Sequence, residues 1–380
     1  MAAPRSSLRR LLELIALTAL AITQPVLDAF GSAAEEFIFR DISALGIIGF
    51  ALLVVLGPAL ALWGLQQVVG RFLGRRAGDG IQLLLIVTLI ATFVAQVTKS
   101  TTSWRPAILI IVAVSAGVAV AAAWLIDSIT SLVMAFVALF APLSVALFLF
   151  ASPVADILFN DGTASAARVD MGSPAPVVYI VLDELPTLSL LDANGNVDDD
   201  RWPGFASLAD DSTWFRNASA VAPSTPTAVP ALLSGNYPVD IEALPVVDEF
   251  PQNLFTMLAG THQMRVHESI TKICPSELCG DSDTVGGSAT DGLFDLIADS
   301  ADVVIERTKP RRAIRTPVDF KVGQSDPSAD RKIGEWLDRV VPSDGLHLNV
   351  IHAVLPHQPW WRLPTGQRYG GSGDGAPVVA

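Results

Sequence analysis

The chain has 380 residues, of which 51% are hydrophobic and only 17% charged, and its formal net charge is −13. Soluble globular proteins carry about 25% charged residues, so this composition excludes a wholly soluble chain, and its apolar content excludes a disordered one. The acidic balance also excludes a nucleic-acid partner, which would need a basic face.

The charge is unevenly placed. Residues 1–150 hold 9 Lys/Arg and 7 Asp/Glu, whereas residues 151–380 hold 16 and 31. A nearly neutral apolar part therefore precedes an acidic polar part.

Apolar runs lie at 11–29, 43–68, 81–98, 106–126 and 130–151. Each approaches the roughly 20 residues that cross a bilayer, and a helix satisfies its own backbone groups there. Residues 1–151 thus read as an all-α transmembrane bundle of about five helices, with the lipid bilayer as partner. The first run is the weakest, because it holds Glu13, Gln24, Pro25 and Asp28. Glu13 and Asp28 are costly in lipid and are expected near the span's ends, in reach of water. Ala113 and Gly117 have the small-xxx-small spacing of close helix packing. Arg5, Arg9 and Arg10 precede span one, and Arg71, Arg75 and Arg76 follow span two, while Glu35, Glu36 and Asp41 lie between them. The positive-inside rule then places the N-terminus in the cytoplasm. Five crossings would carry everything after about residue 152 to the outside of the cell membrane.

Residues 152–175 are rich in Ala, Ser, Gly and Asp and read as a linker. From 176 onward the pattern is α/β. Val177 to Leu182 is a continuous β-branched and apolar run, expected as a strand buried on both faces. Leu346 to Leu355 reads as a second interior strand. Helices are expected around Leu254, Met257 and Leu258, around Leu293, Leu296 and Ile297, and along Ile333, Trp336, Leu337 and Val340. In such sheets ligands bind at the carboxyl ends of strands.

Asp183 and Glu184 follow the first strand. Carboxylates there are hard donors for Mg, Ca or Mn and also serve Zn; a helix cap or solvated turn uses the same residues. Ser224 and Thr225 open Ser-Thr-Pro-Thr-Ala-Val-Pro-Ala-Leu-Leu-Ser-Gly-Asn-Tyr-Pro. A hydroxyl at a helix start is either an N-cap or, beside a metal, a nucleophile. His347, His352 and His357 are five residues apart, so they do not share one strand face. His357 stands in the loop Pro-His-Gln-Pro-Trp-Trp. Cys274 and Cys279 are the only cysteines, and outside the cytoplasm they read as a local disulfide. Arg307 to Arg315 form a basic run, either a solvated loop or a contact for lipid headgroups or an anionic polymer.

Taken together, three segments resemble the sulfatase family of the alkaline phosphatase superfamily. They are Val-Leu-Asp183-Glu184, then Thr225 through Leu232-Leu233-Ser234-Gly235-Asn236-Tyr237-Pro238, then Leu355-Pro356-His357-Gln358-Pro359-Trp360. Five spans before such a domain are similar to the lipoteichoic acid synthase group. The resemblance implies an alkaline-phosphatase-like α/β domain over 176–380, incomplete within this chain. It implies a divalent metal ion (Mn, Ca, Zn or Mg) held by Asp183, Glu184 and Thr225, with Thr225 as nucleophile and His357 on the substrate. The implied substrate is a phosphate or sulfate ester, as an envelope polymer or lipid, hydrolysed or transferred outside the cell. Ala228 stands where formylglycine-forming members have Arg, which favours a threonine nucleophile and phosphate chemistry. No Asp-His pair, the family's late metal ligands, occurs in the sequence. The chain is therefore expected to be the N-terminal piece of a longer protein and inactive alone. The alternative is a non-catalytic membrane protein whose domain binds an envelope polymer or partner.

Overall fold

A computed structural model describes residues 6–40, 42–102, 104–126, 128–159, 172–279, 289–308, 329–340 and 345–356. The chain forms two units: a helical unit of 1–160 with 288–321, and an α/β unit of 161–287 with 322–380.

In the helical unit, α1 (Ser7–Thr18) opens on Ser6, whose hydroxyl accepts from Arg9 N. It continues through a π-turn at Ala19–Thr23 into α2 (Gln24–Ser32). After α3 (Glu35–Phe39) come α4 (Ala44–Leu73), α5 (Arg75–Thr101), α6 (Pro106–Ile126), α7 (Ser128–Val137), α8 (Phe140–Ala151) and α9 (Val154–Phe159). Among the described residues, five stretches are long and apolar enough to cross a membrane: Ser7–Ser32, Ala44–Leu73, Arg75–Thr101, Pro106–Ile126 and Leu132–Ala151.

Two prolines interrupt these helices, and each freed carbonyl finds a donor. Pro25 cannot pair with Ala21 O, which accepts from Gln96 Nε2 of α5 at 3.0 Å. Pro58 leaves Val54 O, which accepts from Thr23 Oγ1 at 3.2 Å. Without water nearby, such repairs make an interrupted span tolerable. Gly117 of α6 lies against α5 so closely that a Cβ would meet Val87 O at 2.5 Å. Ala113 and Gly117 are both buried there.

Glu13 corrects the expectation that it reaches water. It is 0% exposed, and its Oε2 accepts from Gln82 Nε2 at 3.1 Å and Trp124 Nε1 at 3.0 Å. Span one is enclosed by its neighbours, so even a residue one turn from Arg10, which pairs with Asp79, lies inside. Asp28 is exposed and pairs with Arg307 at 3.1 Å.

In the α/β unit the described elements are β1 (Val177–Leu182), α10 (Pro203–Asp211), α11 (Thr225–Ser234), α12 (Leu254–Leu258), β2 (Gln263–His267) and α13 (Ser276–Cys279). The chain then enters α14 (Ala289–Thr308), which packs with α2, α4 and α5 of the helical unit. The expected face, Leu293–Leu296–Ile297, is rotated: Leu296, Asp299 and Val303 are buried, whereas Ile297 is exposed. Back in the α/β unit follow α15 (Ala329–Arg339) and β3 (His347–Ala353).

The three strands are parallel in the order β1-β3-β2. The central β3 is buried at every residue. On one face Leu348 and Val350 pack with Val229 and Leu233 of α11, Phe255 and Leu258 of α12, and Ile273 of the loop after β2. On the other, Ile351 and Ala353 pack with Trp336 of α15. Leu337, expected on the α15 core face, is exposed. Arg265 of β2 ties α15 down by donating to Arg339 O at 2.7 Å.

β1 departs from its expected burial on both faces. Val178, Ile180 and Leu182 are exposed, Ile180 at 54%, because α15 covers their face of the sheet over β3 and not over β1, which is also an edge strand among the described residues. A continuous apolar run is the pattern of a strand covered on both faces, but it does not state where in the sheet the strand sits.

Candidate functional site

Parallel pairing brings the carboxyl ends of all three strands to one edge of the sheet. Asp183 follows β1 directly, and its backbone N donates to Ala353 O, the last residue of β3, at 3.0 Å. The sheet therefore fixes the Asp183 backbone. The next residue, Glu184, has φ 55, the left-handed region that costs a residue with a Cβ. That turn separates the pair: Asp183 is buried, at 8% exposed, and Glu184 is exposed.

Thr225 is the first residue of α11, which packs on the same face of the sheet as Val181 and Asp183. Pro226 is tolerated in the first turn because no helical partner waits for its missing N–H. Val229 and Leu233 anchor the helix in the core. Gly235, with φ 70, ends it in the left-handed conformation and donates its N–H to Ala231 O. The Leu-Leu-Ser-Gly segment is thus, locally, a core anchor followed by a helix stop, and it sets where the helix begins.

Across 42 positions of sequence, Thr225 Oγ1 donates to Asp183 Oδ1 at 3.0 Å. Asp183 Oδ2 is buried and has no hydrogen-bond partner among the described residues. Ser224, the alternative nucleophile, is exposed and shares a 3.1 Å hydrogen bond with Thr227 Oγ1. Its side chain does not cap the helix. The structure brings together Asp183 and Thr225; it turns Glu184 outward, and His357 lies outside the described residues.

A cation fit rests on the open Asp183 oxygen. A buried carboxylate oxygen without a donor is costly, and a hard divalent ion satisfies it. The described residues offer two oxygen donors, Asp183 and Thr225. The N-terminal end of α11 adds a partial positive charge beside the hydroxyl, which favours anions there.

His347 and His352 fall on opposite faces of β3 and are both buried. His352 pairs in register with Val181, two residues before Asp183. Cys274 and Cys279 are joined by a disulfide, with Cα atoms 6.2 Å apart. Sequence reasoning overlooked Glu268, which directly follows β2. Its carboxylate accepts from Thr271 Oγ1 at 2.5 Å, Ile273 N at 3.0 Å and Cys274 N at 2.9 Å. The residue keeps some open surface, but the carboxylate turns inward, and that desolvation holds its pKa above the ordinary value despite the three donors. β2 was overlooked too, since Gln-Met-Arg-Val-His carries only two apolar residues. Asp198, Asp199 and Asp200 form a largely exposed acidic cluster. Nearby, Asp192 accepts from Asn194 N and Asn196 N in a tight turn, and hydrogen bonds led by Asn196 lower its pKa.

No family model, no curated protein and no solved structure matches this chain.

Proposed function

We propose that this is a membrane-anchored, metal-dependent enzyme of the sulfatase family, with an alkaline-phosphatase-like domain that hydrolyses or transfers a phosphate ester. The observation that carries the reading is the Thr225–Asp183 hydrogen bond with the second Asp183 oxygen left open beside it. A chance surface pair would not combine a helix-start hydroxyl, a buried carboxylate at a strand end and an unspent ligand atom.

In the proposed reaction Thr225 Oγ1 bonds to phosphorus while its proton passes to Asp183 Oδ1, and the ester oxygen departs with the bond's electron pair. The α11 N-terminus favours the developing negative charge at Oγ1. Water or an acceptor hydroxyl then displaces the threonine from phosphorus and regenerates the hydroxyl. A divalent ion held by Asp183 and Thr225 supplies Lewis-acid charge neutralisation when bound. His357 is assigned to the substrate, and Glu184 to the rim of the site. The Arg clusters before span one and after span two support a cytoplasmic N-terminus with the α/β unit outside.

Incubation of the native gene product, in membranes of its own cells, with a radiolabelled phosphodiester and Mn²⁺, followed by peptide mass spectrometry, tests this reading. A phosphoryl adduct on Thr225 that keeps the substrate's remaining ester group, absent in Thr225→Ala, is the expected result. Absence of the adduct together with undiminished turnover in Thr225→Ala would refute the nucleophile assignment. The second reading, non-catalytic polymer binding, is favoured by the short ligand set, one carboxylate and one hydroxyl. It predicts Mn²⁺-dependent retention of an anionic polymer with no adduct.

A further inference from the structure

The helical unit contains a seat for a helix that comes from far along the chain. By contact, the chain leaves the helical unit after residue 160, re-enters it at 288 and leaves again after 321. The visiting element is α14, and every turn of its buried side meets something built to receive it.

Near its start, Gly292 lies where a Cβ would come within 2.9 Å of Ile42 Cδ1 and 3.3 Å of Arg40 O. One turn on, Leu296 is fully buried. Asp299 then meets Arg40, whose Nη2 donates to Asp299 Oδ2 at 2.5 Å. The same guanidinium is paired through Nη1 with Glu36 of α3. All three side chains are largely buried, so the ion cluster is not a loose surface pair. Val303 is buried one turn later. In the last turn, Lys99 of α5 donates to Glu306 O at 2.7 Å, and Arg307 pairs with Asp28. A cation on the terminal carbonyls is favoured by the helix dipole.

Gly292, Leu296, Asp299 and Val303 follow a 4-3-4 spacing, a single stripe on one side of a helix. The receiving residues come from three separate elements, the α3 region, α5 and α2. A buried charge deprived of its partner is strongly destabilising, so Arg40, already committed to Glu36, makes Asp299 the specific key to this seat.

We infer that the helical unit is a docking platform for α14, and that this docking gives the α/β unit a second attachment independent of the 160–171 connection. The partner is this same chain's 289–308 segment.

The experiment uses the full chain in detergent, with a specific protease site placed within 160–171. After cleavage, size-exclusion chromatography asks whether the two pieces remain together. The unmodified sequence is expected to co-elute. Arg40→Glu is expected to weaken co-elution at least tenfold, and Arg40→Glu with Asp299→Arg to restore it. Gly292→Trp, which leaves every charge in place, is expected to separate the pieces as well. Separation of the unmodified pieces would overturn the inference. So would co-elution unaffected by both Arg40→Glu and Gly292→Trp, or failure of the charge exchange to restore what Arg40→Glu lost.

Discussion

Asp183 and Glu268 follow the two outer strands of one sheet, on either side of β3, and each carries a carboxylate turned toward the interior. Around Glu268 the loop folds back and spends both oxygens: Thr271, Ile273 and Cys274 all donate to it. Around Asp183 only Thr225 donates, and Oδ2 is left without a partner among the described residues. The first arrangement is what a fold does with an acid it needs for its own shape. The second leaves coordination capacity over, in a place where leaving it over costs stability. Position at a strand end therefore does not separate the two carboxylates; the unspent Asp183 oxygen does.

Several substitutions would break or sharpen that contrast. The largest effect belongs to the site: in the native gene product, Thr225→Ala and Asp183→Asn are each expected to lower Mn²⁺-dependent phosphodiester turnover on the order of 10³-fold or more. Thermal unfolding, followed by circular dichroism, should stay close to that of the unmodified protein. Glu268→Ala should do the reverse. It strands two backbone N–H groups and a hydroxyl, a loss of about 2–4 kcal/mol, visible as earlier unfolding with turnover per folded molecule kept. Reducing the Cys274–Cys279 disulfide should cost less, about 2 kcal/mol, because the closed loop is short. Mass-shift alkylation of the freed thiols would confirm that the loop has opened.

The smallest effect is in pH. The Glu268 carboxyl sits above its ordinary pKa in the fold, chiefly through desolvation. The folded state thus holds its proton more tightly than the unfolded chain. Stability from this group is fully present below its unfolded value and declines as pH rises through the raised folded value. Glu36, between the first two spans, follows the same rule. Desolvation raises it to about 7, against the opposing pull of Arg40, with Glu35 and Asp299 adding to the rise. Stability of the helical unit should decline modestly as pH rises from 4.5 to about 7, and Glu36→Gln should flatten that dependence.

The spans were legible because twenty apolar residues in a row admit few other fates. Their internal wiring was not. Gln96 repairing the carbonyl freed by Pro25, Thr23 repairing Val54, and the burial of Glu13 depend on which helices are neighbours, and composition does not encode neighbours. The same gap explains β1, whose apolar run is visible but whose place at a sheet edge depends on its partners. Asp183 and Thr225 stood out singly as a strand-end acid and a helix-start hydroxyl, and the order of the motifs paired them. Their 3.0 Å contact arises from the sheet packing α11 against β1. Glu268 left no trace, since one acid after a mostly polar pentapeptide looks like any loop. Helix α14 was visible as a helix, while its seat lies some 250 positions earlier in the chain.

The most direct test is calorimetric titration of the detergent-solubilised protein with Mn²⁺, repeated on Asp183→Asn and Glu268→Gln. Saturable binding near one ion per chain is expected in the unmodified protein and in Glu268→Gln, and its loss in Asp183→Asn. Equal binding in all three, or no saturable binding to the unmodified protein, would contradict that expectation.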